Sequence, residues 1–127
     1  MLLQYLLIFI GGGLGCVTRF LVYQGSATVS QQFPTGTLII NITGSFLIGL
    51  VFYIILEKFE RYLPFMRAGL MLGFLGGYTT FSAFSLETLT LLQQGSILKA
   101  MSYIFVSVIG GVLATWCGLL LARGLLS

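Results

Sequence analysis

The sequence predicts an all-α integral membrane protein: four transmembrane helices, the third broken near its middle, in a single domain over residues 1–127. Three observations carry that prediction. Of the 127 residues 57% are hydrophobic and only 7% are charged, where a soluble domain carries about 25% charge. Four apolar stretches each supply the ~20 residues that a helix rising ~1.5 Å per residue needs to cross the hydrocarbon. One of those stretches holds a run, from Gly73 to Glu87, that a plain apolar helix does not tolerate.

The same composition excludes whole classes of function. There is no His and no Asp, and the acids are Glu57, Glu60 and Glu87. Proton relays, His or Cys metal clusters, carboxylate dyads and Ser-His-Asp catalysis therefore lack their raw material, and an enzyme is not expected. The net charge of +3 is spread over short loops and span ends, which suggests a membrane-facing bias and not a nucleic-acid partner. Cys16 and Cys117 both fall inside apolar spans, where free Cys behaves as a small buried hydrophobe; a disulfide between them is the lesser alternative.

The first span covers residues 2–23. It lacks the basic start and small-residue cleavage site of a removable signal peptide, and it carries Gly11-Gly12-Gly13 and Arg19, so it reads as a mature helix. Arg19 has two readings: snorkelling to the interface, or drawing anions into a vestibule. Residues 25–36, with Gly25, Ser26, Pro34 and Gly36, read as a polar loop, and Pro34 helps to start the next helix. The second span, 37–56, contains Asn41, Thr43 and Ser45, with Asn41 and Ser45 on one face. Asn41 must find a partner inside the protein, either as an interhelix hydrogen bond or as a pore-lining amide donor.

The loop Glu57-Lys-Phe-Glu-Arg61, with Pro64 and Arg67 beyond it, reads as a solvated turn. The third span, 68–92, repeats Gly69, Gly73 and Gly77 every four residues, as the fourth, 100–122, repeats Gly110, Ala114 and Gly118; both are small-residue faces for close helix contact. Within the third span, Gly76-Gly77 weakens a helix by about 1 kcal/mol per glycine. Thr79, Thr80, Ser82 and Ser85 then place hydroxyls in a hydrophobic setting. Such a lapse is tolerated where the backbone is buried in protein or lines a water-filled cavity, so residues 76–80 are read as a helix break. Phe81 and Phe84, three apart, project from the same face just beyond it. In the fourth span Tyr103 and Ser107 share a face, as a donor track or as helix packing. Trp116 lies too far inside to mark an interface strongly.

With four spans, Lys58, Arg61, Arg67 and Arg123 share one side, against Arg19 and Lys99 on the other. That positive-inside bias is weak, so insertion in both orientations and an antiparallel homodimer are expected; four thin helices are also too few to enclose a polar path alone. Such a path would suit an anion. Its candidate lining offers amide and hydroxyl donors and the positive edges of phenyl rings, whereas a cation filter favours carbonyl or carboxylate rings.

Gly76-Gly-Tyr-Thr-Thr-Phe-Ser-Ala-Phe-Ser85, Asn41-Ile-Thr-Gly-Ser-Phe-Leu-Ile-Gly49 and Gly11-Gly-Gly-Leu-Gly-Cys-Val-Thr-Arg19 together resemble the Fluc (CrcB) fluoride ion channels, and the match covers all four spans in order. The resemblance implies a dual-topology homodimer in the bacterial inner membrane, in contact with membrane lipid, with two antiparallel pores that let fluoride leave the cell passively. It implies that Phe81 and Phe84 meet the fluoride ion and that Asn41 is a pore donor. It implies too that the backbone carbonyls of Gly76 and Thr79 from both subunits hold a structural sodium ion, and that Arg19 sits near a vestibule. Ala83 stands where the family often has Thr or Ser, and Cys16 where a smaller residue is usual. Ala83 leaves any polar track to Thr80, Ser82, Tyr103 and Ser107. A small proton-coupled multidrug exporter is the rival reading, but it needs an ionisable residue deep in the membrane, and only Glu87, toward the end of its span, is available. A non-transporting packing subunit would explain the glycine faces and leave the hydroxyl-rich break unexplained.

Overall fold

A computed structural model describes residues 1–27 and 32–127, and among these it is helical with no strand. Among the described residues three helices are long and apolar enough to cross a membrane: α1 (Leu2–Ser26), α2 (Thr35–Lys58) and α6 (Ile97–Leu126). Each reaches a few residues beyond the expected 2–23, 37–56 and 100–122. The expected loop 25–36 is correspondingly shorter. Gly25 and Ser26 close α1, Gly36 lies in α2, and residues 28–31 fall outside the described part. Pro34 is the N-cap of α2, a place where its fixed φ fits the first turn and its missing N–H removes nothing.

The segment expected as a span over 68–92 is built from shorter pieces. A 3₁₀ turn, Glu60–Tyr62, leads into α3 (Leu63–Met66), which has Pro64 in its first turn. A π-helical stretch, Arg67–Leu75, follows, and then α4 (Gly76–Tyr78). Two extended residues separate α4 from α5 (Phe81–Gln93): Thr79 at φ −80°, ψ 159° and Thr80 at φ −151°, ψ 115°. Nine residues of π-helix is long for a form that usually appears as a single-turn bulge, often at functional sites. α5 ends in a Schellman cap. Gly95 takes φ 76°, its N–H donates to the Leu92 carbonyl at 3.0 Å, and the Ser96 N–H donates to the Leu91 carbonyl at 2.9 Å.

Two helix pairings organise the chain. α2 packs along α6, and α1 packs along the 67–78 segment. The first pairing is close because Gly49 faces the Thr115 carbonyl and Gly118 faces the Phe46 carbonyl; a side chain at either would overlap backbone. The repeated small residues of α6 thus serve the contact that their spacing predicts. In the second pairing Gly11 and Gly15 lie against the carbonyls of Gly69 and Phe74. Large apolar side chains such as Phe9, Phe20, Leu98 and Phe105 point outward, which suits a helix surrounded by hydrocarbon instead of water. The buried hydrophobic cluster is small: Leu91, Ala100 and Tyr103, with Phe33, Leu38 and Phe84 packed on it. Through Phe84 and Leu91 it packs against α5, the half that follows the interruption. Cys16 and Cys117 are both free thiols, so no disulfide joins α1 to α6.

Candidate functional site

The interruption at Thr79-Thr80 is held by side chains. In a continuous helix the Thr80 N–H would donate to the Gly76 carbonyl four residues back; here it donates to Oδ1 of Asn41 on α2 at 2.9 Å. Nδ2 of Asn41 in turn donates to the Thr80 carbonyl at 2.9 Å. Close approach makes this pairing geometrically available: one turn along α2, Gly44 faces the Thr79 methyl, which a Cβ there would overlap. The Thr80 hydroxyl accepts from the Ala83 N–H at 3.2 Å and so caps α5, as a threonine at the N-cap does. It also lies 3.3 Å from the Ser82 hydroxyl.

α5 therefore starts at Phe81. The rings of Phe81 and Phe84 lie 5.5 Å apart, tilted by 45°. Phe81 is 78% exposed, whereas Phe84 is half-buried and leans on the Tyr103 ring at 5.1 Å. Both border an open groove of about 460 Å³, whose wall also includes Asn41, Ser45, Thr80 and Ser107. The spacing-based expectation that Asn41 and Ser45 share a face is met in this wall. Ser107 Oγ is buried without a hydrogen-bond partner among the described residues, and Ser82 is exposed.

Tyr103 departs from the donor-track expectation in one respect. It is fully buried and its hydroxyl donates to Oε2 of Glu87 at 2.7 Å. Thr37 donates to Oε1 of the same carboxylate at 2.7 Å. Because that uses Thr37's single hydroxyl proton, the Tyr23 hydroxyl, 2.9 Å away, is the donor to Thr37. The carboxylate thus collects a chain of hydroxyls from α1, α2 and α6. It opens onto a second cavity of about 720 Å³ that Tyr23, Thr37 and Lys99 also line. Sequence reasoning placed no functional weight on Tyr23 or Thr37 and weighed Glu87 only as the ionisable residue of the rival exporter reading. The available signal was Glu87's position three residues after Phe84, on the same face of α5.

Arg19 does not reach the end of α1. Its Nη1 donates to the Thr79 carbonyl at 3.4 Å and its Nη2 lies 3.6 Å from Cys16 Sγ, so the guanidinium turns onto the break instead of snorkelling. The Gly76 and Thr79 carbonyls both lie at that break, and both residues border the groove. Gly76's carbonyl has lost its helical donor to Asn41, while that of Thr79 is shared with Arg19. Both are hard oxygens of the kind that suits a hard cation, and the Thr79 carbonyl has one lone pair left beyond the bond from Arg19.

Long apolar helices around an open, donor-lined groove at a helix interruption define a polytopic helical membrane protein. Comparison with known proteins narrows the class. Residues 6–119 match the family described as CrcB-like protein, Camphor Resistance (CrcB), and the chain belongs to this family. A protein of Francisella philomiragia is 45% identical over 126 residues, covering 97% of each chain. One of Azotobacter vinelandii is 49% identical over 119 residues, covering 93% of this chain and 95% of its own. One of Coxiella burnetii is 43% identical over 127 residues, covering 97% of this chain and 100% of its own. All three carry the name fluoride-specific ion channel FluC.

Proposed function

We propose that the chain is a fluoride-selective ion channel that lets fluoride leave the cytoplasm passively across the bacterial inner membrane. The observation that carries this reading is the groove wall at the break. An exposed phenyl ring, Phe81, stands beside neutral polar groups from α2, the break and α6, with no carboxylate in that wall. The names of near-full-length relatives support fluoride as the ion. Fluoride is the smallest and most tightly hydrated halide, so a narrow line of matched donors can replace its water where a larger halide is poorly served. Phe81 and Phe84 present ring edges to the ion. The second Nδ2 hydrogen of Asn41, the one not bonded to Thr80, serves as a donor, and Thr80, Ser82 and Ser107 supply hydroxyls. Tyr103 acts from behind, holding Phe84 and Glu87 in place. Arg19 supplies positive charge at the break, where its guanidinium donates to the Thr79 carbonyl.

In this reading the halves 63–78 and 81–93 cross the membrane together as the interrupted third span, completing a single four-helix domain. Two copies associate antiparallel, each closing the other's groove against membrane lipid. The Gly76 and Thr79 carbonyls of both copies would hold a structural sodium ion, whose charge would satisfy the unwound backbone oxygens. The weak charge asymmetry between the two sides supports dual insertion, and the open groove of the single chain supports closure by a second copy. Growth in fluoride medium of bacteria stripped of their own fluoride exit tests the function. Rescue by the membrane-inserted chain is expected; no rescue at equal expression contradicts it.

A further inference from the structure

The two hydrogen bonds between Asn41 and Thr80 form a closed, complementary pair. A backbone N–H can only donate and a carbonyl can only accept, so the orientation of the Asn41 amide is fixed by its partner. The side chain therefore imitates one rung of strand pairing, supplied from a neighbouring helix to backbone that has left its own helix. Three consequences share this point. Thr80 is held extended, its hydroxyl is aimed back at Ala83 to start α5, and Gly76's carbonyl is released from its helical bond.

We propose that Asn41 is the positioning residue of the interrupted span. By pinning Thr80 it sets where α5 begins, and hence which way Phe81 and Phe84 face. This rests on the channel reading for its functional consequence, but the clamp itself is a statement about Thr80. Without Asn41 the Thr80 N–H loses its acceptor. That group is then left open to exchange, Thr80 is no longer held extended, and the direction of Phe81 is no longer fixed.

The test is amide hydrogen exchange resolved at Thr80, in the reconstituted full chain, for wild type, Asn41→Leu and Asn41→Asp, beside fluoride efflux from the same liposomes. In Asn41→Leu the protection of Thr80 falls about tenfold or more, with α6 amides unchanged, and fluoride efflux falls with it. Asn41→Asp keeps an oxygen that accepts the Thr80 N–H, so it retains Thr80 protection within about threefold. Equal Thr80 protection in wild type and Asn41→Leu overturns the proposal. Should Asn41→Leu fail to insert, loss of Thr80 protection in Asn41→Asp overturns it instead. If wild type carries no fluoride while Thr80 protection still follows residue 41, the clamp stands and the channel reading falls.

Discussion

The phenolic hydroxyl of Tyr103 donates to Oε2 of Glu87 at 2.7 Å, while the ring of the same tyrosine rests against Phe84 at 5.1 Å. One side chain thus ties the carboxylate of the larger cavity to the phenyl of the groove. Removing only the hydroxyl separates these roles. Tyr103→Phe keeps the ring contacts with Phe33 and Phe84 but leaves Glu87 with Thr37 as its one hydroxyl from the pair. The variant is expected to lose about 1–3 kcal/mol of stability, seen as a lower melting temperature in detergent, and to carry less fluoride. Unchanged fluoride efflux would assign Tyr103 to packing alone.

Thr80 caps α5 through the bond from the Ala83 N–H. Thr80→Ala removes that acceptor and is expected to destabilise by about 1 kcal/mol, whereas Thr80→Ser, which keeps the hydroxyl, stays near wild type. Thermal unfolding of the two variants side by side checks the ordering; equal loss in both would place the effect on the threonine methyl.

Gly44 gives the Thr79 methyl room on α2. Gly44→Val is expected to push the break away from Asn41 and to destabilise by about 1–3 kcal/mol, with fluoride efflux reduced in parallel, and Gly44→Ala is expected to do the same to a smaller degree. Melting temperature together with efflux from liposomes measures this. A Gly44→Val protein with wild-type stability and flux would mean that the contact is dispensable.

Much of the fold could be read from the chain because apolar length and composition act locally: the three long helices needed only a run of hydrocarbon-compatible residues. The break expected over residues 76–80 is narrower in the structure: Gly76 and Gly77 lie in helix α4 and only Thr79 and Thr80 are extended, so the glycine pair lowers helix preference without ending the helix. The π-helical stretch at Arg67–Leu75 was not legible, because glycine-rich apolar sequence carries no preference between i+4 and i+5 bonding. Arg19 was open between two positions because a long side chain's direction is decided by what packs against it, here the Thr79 carbonyl. Glu87 was undervalued for the same reason. Its two hydroxyl donors come from Thr37 and Tyr103, which lie on other helices.

Halide efflux from liposomes holding the purified protein tests the central claim most directly, with fluoride and chloride measured in turn for wild type, Phe81→Ile and Phe84→Ile. Rapid fluoride efflux without chloride efflux is predicted, lost or reduced by about tenfold or more in both variants if each ring contributes on the scale of one good contact to the ion. Absence of flux for either halide in wild type, or equal passage of both, would contradict the account.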